Sequence, residues 1–297
     1  MSTSTPSHQA VTLANRVSMP LLGLGTYRLR ADDVQPVVRA AVQAGYRLID
    51  SAAVYRNEAH IGKVIHELLS DDSLGLRRED LFITSKLAPR DQGYDACYNA
   101  VQDSLQRFNL EYLDLYLIHW PGLKQHDPKN AINRFSSWRA LEKLHAEGKL
   151  RAIGVSNYTL THLTELLASC TIRPHVHQFE LHPLLNQREL IALCEQNEIQ
   201  VQAYSSLGEG RLVSGELVLP NLQAIFAKYA QQTPAQVLLR WAVQHGWGVI
   251  PKSKSPERVK VNGDVFSFEL AEEDMRTLDL LGVSNPRRFC WNPSEIQ

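Results

Sequence analysis

Four side chains in this sequence are of types that together place a proton on a carbonyl oxygen: Asp50, Tyr55, Lys86 and His119. Leu48-Ile49 leads into Asp50, Phe82-Ile83-Thr84-Ser85 into Lys86, and Leu117-Ile118 into His119, while Tyr55 follows Asp50 closely. A lysine that starts at the mouth of a buried strand needs a carboxylate partner or a lowered pKa. Asp50 is in position to be that partner. A phenol, with an ordinary pKa of about 10, is a poor acid at neutral pH, and a nearby ammonium stabilises the phenolate and lowers that value. Lys86 would supply that field. A carbonyl that accepts hydride develops negative charge on oxygen, so a phenolic O–H within reach donates its proton as the charge appears. His119 would be a second donor that orients the carbonyl, and neither a metal nor a nucleophile is required. Singly, each residue has an ordinary explanation: a turn cap for Asp50, snorkelling for Lys86, a satisfied core histidine for His119, amphipathic packing for Tyr55. Their arrival together at one rim carries the reading.

That rim requires elements to build it. Short apolar, β-branched runs alternate with stretches of helical period from about residue 20 to residue 280, with no Pro/Gly/Ser-rich linker, which is the pattern of βαβ units on a parallel sheet. The expected strands are 21–25, 47–50, 81–86, 113–119, 152–155, 176–180, 201–204 and 248–251, the number that closes a barrel. Expected helices include 34–44, stopped by Gly45, 135–147, stopped by Gly148, and one opened by Pro234. Residues 11–19, centred on Asn15-Arg16, read as a hairpin ahead of the first strand that would plug the barrel bottom. A doubly wound sheet would announce itself with Gly-x-Gly-x-x-Gly after the first strand, and Gly23-Leu24-Gly25-Thr26-Tyr27-Arg28 lacks the third glycine. The fold expected is therefore α/β, a single (β/α)8 TIM-type barrel over 1–297, with residues 1–9 disordered. In such a barrel catalytic groups project from the C-terminal ends of strands.

Composition narrows the partners. A chain of 297 residues suits one α/β barrel, and a formal net charge of -1 gives no global attraction to nucleic acid or anionic membrane. Residues 1–10 are polar without an apolar leader core, and no apolar run approaches the roughly 18 residues a bilayer requires. Cys97, Cys170, Cys194 and Cys290 are widely spaced with no metal-binding pattern. These features point to a soluble cytoplasmic protein with reduced thiols, no metal, and a small molecule as its partner.

The same residues, in order, resemble the aldo-keto reductase superfamily. The resemblance runs through Gly23-Leu24-Gly25-Thr26, Asp50-Ser51-Ala52-x-x-Tyr55-x-Asn57-Glu58, Thr84-Ser85-Lys86, Leu113 to Pro121, Ile153-Gly154-Val155-Ser156-Asn157 and Ile250-Pro251-Lys252-Ser253. It implies reduction of a carbonyl by NADPH, with Tyr55 as general acid, Lys86 lowering its pKa, Asp50 as partner of Lys86 and neighbour of the nicotinamide ribose, and His119 orienting the substrate. It further implies that Ser156, Asn157 and Gln178 hold the carboxamide, that Tyr204 stacks on the nicotinamide, and that Gly25, Thr26, Ser205, Leu207 and Asn262 line the cofactor.

For the cofactor's far end the resemblance indicates residues 252–260, where Lys252, Lys254, Arg258 and Lys260 face one acid, Glu257. Ser253 and a helix opening near Pro256 add donors for a 2′-phosphate, and Arg258 can also stack on adenine, so NADPH (NADP+) is expected over NADH. A solvated basic face is the plainer alternative. Val261 stands where many relatives have a glutamate, and Tyr27 where many have a tryptophan. Trp120 and Trp291 are the other pocket candidates, Trp291 being equally suited to packing the tail down. The compact tail favours small aldehydes or dicarbonyls over steroids. Two other readings stay open: a non-catalytic NADP-binding regulatory subunit of the same fold, and a Schiff-base enzyme using Lys86, which a charged Asp50–Lys86 pair opposes. The fold does not require an oligomer, so a monomer or weak oligomer is expected.

Overall fold

The computed structural model describes residues 9–297. Of the 1–9 segment expected to be disordered, residues 1–8 lie outside the described residues. Gln9 departs from the expectation, since its carbonyl accepts the Leu21 N–H at 3.0 Å.

An antiparallel hairpin, β1 (Ala10–Thr12) and β2 (Ser18–Pro20), precedes the barrel. The barrel strands are β3 (Gly23–Gly25), β4 (Leu48–Asp50), β5 (Phe82–Leu87), β6 (Leu113–Ile118), β7 (Leu150–Ser156), β8 (Val176–Glu180), β9 (Gln200–Tyr204) and β10 (Gly248–Val249). They run parallel in chain order, and the ring closes where Val249 N–H donates to Leu21 O at 2.7 Å and Gly25 N–H to Pro251 O at 3.1 Å. The outer layer is α1 (Ala31–Gln43), α2 (Glu58–Leu69), α3 (Tyr94–Phe108), α4 (Asn130–Ala146), α5 (Leu160–Ser169), α6 (Arg188–Gln196), α7 (Pro220–Lys228), α8 (Pro234–Gln244), α9 (Pro256–Gly263) and α10 (Glu272–Leu280). This is the (β/α)8 barrel that the alternation of runs predicts.

Side chains alternate across a strand, so each strand divides its residues between barrel interior and helix layer. Leu48, Phe82, Leu115, Leu117, Ala152, Val176 and Ile250 form one interior cluster, while Ile49, Ile83, Tyr116, Ile118, Ile153, Val155 and Phe179 pack outward against the helices. The hairpin closes the lower end: Leu13 and Met19 join the interior cluster, and Asn15 donates to Arg151 O at 2.8 Å. With its bottom filled by hydrocarbon, the interior leaves only its upper layer for polar groups. The same parity that turns Leu48, Phe82 and Val176 inward turns Asp50, Thr84, Lys86 and Gln178 inward above them.

Helix ends expose what periodicity alone misses. Gly45 and Gly148 follow α1 and α4 in left-handed conformations (φ +94° and +73°), where glycine carries no Cβ penalty, as expected. Both helices begin earlier than their apolar periodicity indicates, at Ala31 rather than Val34 and at Asn130 rather than Phe135. In α1 the extra turn is polar: Asp32 and Asp33 lie against the positive end of the helix dipole, and Asp33 Oδ2 accepts the Arg30 N–H at 3.1 Å.

Candidate active site

Asp50 ends β4, and its backbone carbonyl accepts from Thr26 N–H (3.0 Å) and Thr26 Oγ1 (2.8 Å), which ties the loop after β3 to the site. Its carboxylate is fully engaged: Oδ1 lies 2.6 Å from Lys86 Nζ and Oδ2 accepts from Gln178 Nε2 at 2.8 Å. Lys86 donates also to Ser51 O at 2.7 Å. Both charges are buried, so the ion pair satisfies the requirement stated for a lysine at this strand end.

Tyr55 sits on a single 3-10 turn (Ala53–Tyr55) that Arg56 ends in the left-handed region (φ +57°). Its ring centre is 5.1 Å from Lys86 Nζ, 5.7 Å from the His119 ring in an edge-on arrangement, and 5.1 Å from Tyr27. Among the described residues its hydroxyl has no hydrogen-bond partner. The turn is fastened by Asn57, which accepts from Ser51 Oγ at 2.7 Å and donates to Thr26 O at 3.0 Å. Asn57 stands in the Tyr55-x-Asn57 stretch, but its role is legible only once its buried partners are known.

Burial dominates the electrostatics of the site. Burial raises the Tyr55 hydroxyl well above the ordinary phenol value, with the Asp50 charge adding to the rise. Burial outweighs the lowering that Lys86 would give, the ammonium being shared with Asp50 at 2.6 Å. Burial lowers Lys86 from the usual lysine value while the Asp50 charge and hydrogen bond oppose the change. His119 is held well below the ordinary histidine value by burial and then by Lys86, so its ring is neutral, and its Nδ1 is buried without a partner among the described residues. The site therefore offers a protonated phenol and a neutral imidazole to one space.

Ser156 and Gln178 face each other in register across β7 and β8. Asn157, left-handed at φ +61°, donates to His119 O (2.9 Å) and Ser156 Oγ (3.1 Å) and accepts from Tyr204 Oη (2.6 Å). Ser205 follows Tyr204 with its Oγ 3.2 Å from Cys290 Sγ, and Leu207 packs partly against the core. Across the mouth, Gly25 approaches Lys252 closely enough that an added Cβ would lie 3.4 Å from the Lys252 Cβ. Ser255, the N-cap of α9, accepts the Arg258 N–H at 3.2 Å, Ser253 Oγ accepts the Ser255 N–H at 3.1 Å, Asn262 is buried, and Val261 is exposed. Half-buried Lys252 is lowered by burial and then by the positive charge of Lys254, with Arg28 contributing. Cations crowded in this way fit an anion, and these residues match the donor set a dinucleotide phosphate needs.

Trp120 and Trp291 meet at 4.6 Å between ring centres, and Tyr27 and Trp291 are about half exposed at the mouth. Trp291 reaches that place because the tail is pinned by a residue the sequence reading missed. Glu180, buried at the end of β8, accepts from Phe289 N–H (2.7 Å) and Cys290 N–H (3.2 Å), with Arg288 Nη1 at 3.4 Å and His182 Nε2 at 3.1 Å. Burial raises its carboxyl, but the hydrogen bonds from His182 and the Phe289 amide outweigh that and hold it below the usual range. Its inward parity with Gln178 was a usable signal; the partners in the distant tail were not. Glu180→Gln is expected to destabilise the fold by about 2–3 kcal/mol, read from urea unfolding, because it leaves buried donors poorly matched. An unchanged midpoint would remove this anchoring role.

Among the described residues no group of three or more His, Cys, Asp or Glu could hold a metal ion, and no helix is long and apolar enough to cross a membrane. The profile of the aldo/keto reductase family matches residues 21–282. The chain is similar to glyoxal reductase of Bacillus subtilis, 43% identical over 98% of this chain and 99% of that one. It is 44% identical to 9,11-endoperoxide prostaglandin H2 reductase of Trypanosoma cruzi, over 93% of this chain and 92% of that one. The crystal structure of a Bombyx mori aldo-keto reductase in complex with NADP superposes with a TM-score of 0.83 at 34% identity, covering 92% of each chain.

Proposed function

The chain belongs to the aldo/keto reductase family, and on that premise we propose that it reduces small aldehydes and dicarbonyls to alcohols with NADPH, Tyr55 donating the proton. The observation that carries the proposal is the Tyr55 phenol, without a hydrogen-bond partner among the described residues, set beside the buried Lys86–Asp50 pair and the neutral His119 ring. Ser156, Asn157 and Gln178 would hold the carboxamide of the cofactor, Tyr204 its ring, Gly25, Thr26, Ser205 and Leu207 its middle, and Lys252, Ser253, Lys254, Arg258 and Asn262 its phosphorylated adenosine end. When bound, the reduced nicotinamide supplies hydride to the carbonyl carbon.

The protein's own part is to handle the oxygen. His119 orients it by donating from its ring, and Tyr55 gives up its proton as negative charge grows there. The Lys86 ammonium stabilises the phenolate left behind, and Asp50 keeps that ammonium charged despite its burial. Solvent then restores the Tyr55 proton, so one carbonyl, one NADPH and one proton yield one alcohol and one NADP+.

The relatives differ in what their names say they reduce, glyoxal in one and a prostaglandin endoperoxide in the other. The aromatic mouth formed by Tyr27, Trp120 and Trp291, drawn in by the Glu180-anchored tail, supports the smaller substrates. The reading includes a cytoplasmic catalyst acting as a monomer or weak oligomer, and a formal net charge of -1, which gives no global attraction to nucleic acid or anionic membrane, supports the absence of such partners. Steady-state assays with glyoxal-type dicarbonyls and small aldehydes should show kcat/KM at least about tenfold higher with NADPH than with NADH, one charge-assisted phosphate contact being enough for that ratio. Equal use of the two cofactors would contradict the assignment of residues 252–260.

A further inference from the structure

The cations assigned to the cofactor's far end enclose one carboxylate from a different element. Asp33, in the first turn of α1, places Oδ2 3.0 Å from Lys254 Nζ. The hydrogen bond from Lys254 is the largest influence holding the Asp33 carboxyl below its ordinary value, ahead of the Arg30 amide. Lys252 also acts on Asp33, and Lys252 in turn experiences Lys254, Asp33 and Arg28. The segment's own acid, Glu257, is turned to Ser255, whose Oγ donates to it at 2.7 Å. Exposed Asp32, the neighbour of Asp33, makes no such contact among the described residues.

We propose that Asp33 is a specificity-determining residue for the cofactor: it neutralises Lys254 within the cluster that would take the 2′-phosphate and so reduces the advantage of NADPH over NADH. The inference rests on the cofactor reading above. NADPH and NADH differ only by that phosphate, so a fixed negative charge beside Lys254 acts almost entirely on NADPH. The Asp33–Lys254 pair is partly exposed, and such pairs are weak, so Lys254 is released to an incoming phosphate without a large barrier. The Asp33 charge remains nearby after that exchange and repels the phosphate through the interaction of like charges at short range, screened by water and salt. Asparagine at this position keeps an oxygen for the Arg30 N–H and removes only the charge.

The test is calorimetric titration of the wild-type protein, Asp33→Asn and the control Asp32→Asn with NADP+ and with NAD+, at low and at high salt. Asp33→Asn is expected to tighten NADP+ by about three- to tenfold at low salt, less at high salt, and to leave NAD+ within about twofold. Asp32→Asn, with the same change in net charge, should stay within about twofold for both. Unchanged or weaker NADP+ binding in Asp33→Asn, or an equal gain for NAD+ or in the control, would overturn this inference alone. A wild-type protein that binds no NADP+ would overturn the cofactor reading and this inference with it.

Discussion

Tyr55→Phe is expected to lower kcat for carbonyl reduction by about 10²- to 10⁴-fold, the range for loss of a positioned proton donor, while NADPH affinity stays within about twofold. The substitution removes one oxygen and retains the ring that packs on Tyr27 and His119. A fall in kcat and kcat/KM together would identify an interaction made only in the transition state. The pH dependence carries a sign. Burial, then the Asp50 charge, raises the phenol above its ordinary value, so the acid form persists through neutral and mildly alkaline pH and activity is lost only as pH rises through that elevated value. His119 titrates well below its ordinary value and contributes no break near neutrality. The profile of kcat/KM should therefore be flat between about pH 6 and 9, outside the range where either group changes charge. A break near pH 7 that disappears in His119→Gln would show that the imidazole is charged in the working enzyme.

The second large effect is on stability and activity at once. Lys86→Met should destabilise the fold by about 3–5 kcal/mol, since it leaves the buried Asp50 carboxylate without its counter-charge. Activity should fall with it, because nothing then stabilises the Tyr55 phenolate. Adding Asp50→Asn to Lys86→Met removes the stranded charge and should return much of the stability, because replacing both partners of a buried pair by neutral groups is far less costly than removing one. Activity should not return. Urea unfolding of the two single variants and the double variant, beside their kcat values, measures this directly; full additivity of the stability losses would mean that the two groups do not act as a pair.

The barrel and its upper polar layer were legible because both follow from local rules. Eight short apolar runs set the strands, several of them ending in polar residues such as Asp50, Lys86 and His119, and the period of two turned Asp50, Lys86 and Gln178 to the same side as Leu48, Phe82 and Val176. Helix starts were less legible, since the first turn of α1 is polar and that of α4 turns its apolar Ile132 to solvent, outside the apolar periodicity. Glu180 and Asn57 were missed as anchors for a related reason. Their partners, Phe289 and Cys290 for one and Thr26 for the other, lie far along the chain, and a buried hydrogen bond of that span leaves no local pattern. That burial outweighs Lys86 in setting the Tyr55 phenol was not legible, because residue types reveal the ammonium but not how deeply the phenol is buried. The close approach of Asp33 to Lys254 was likewise invisible, joining the start of one helix to a loop on the far side of the barrel seam.

The central claim is that hydride passes from NADPH to a carbonyl carbon at the Tyr55 site. The most direct test is to run the protein with a glyoxal-type dicarbonyl and NADPH dideuterated at the nicotinamide C4, then analyse the product by mass spectrometry. The expected product is the alcohol carrying one deuterium on the new carbinol carbon, formed by the wild-type protein and nearly absent with Tyr55→Phe. A wild-type protein that binds NADPH yet forms no deuterated alcohol across a broad panel of aldehydes, ketones and dicarbonyls would contradict the claim and favour the non-catalytic nucleotide-binding alternative.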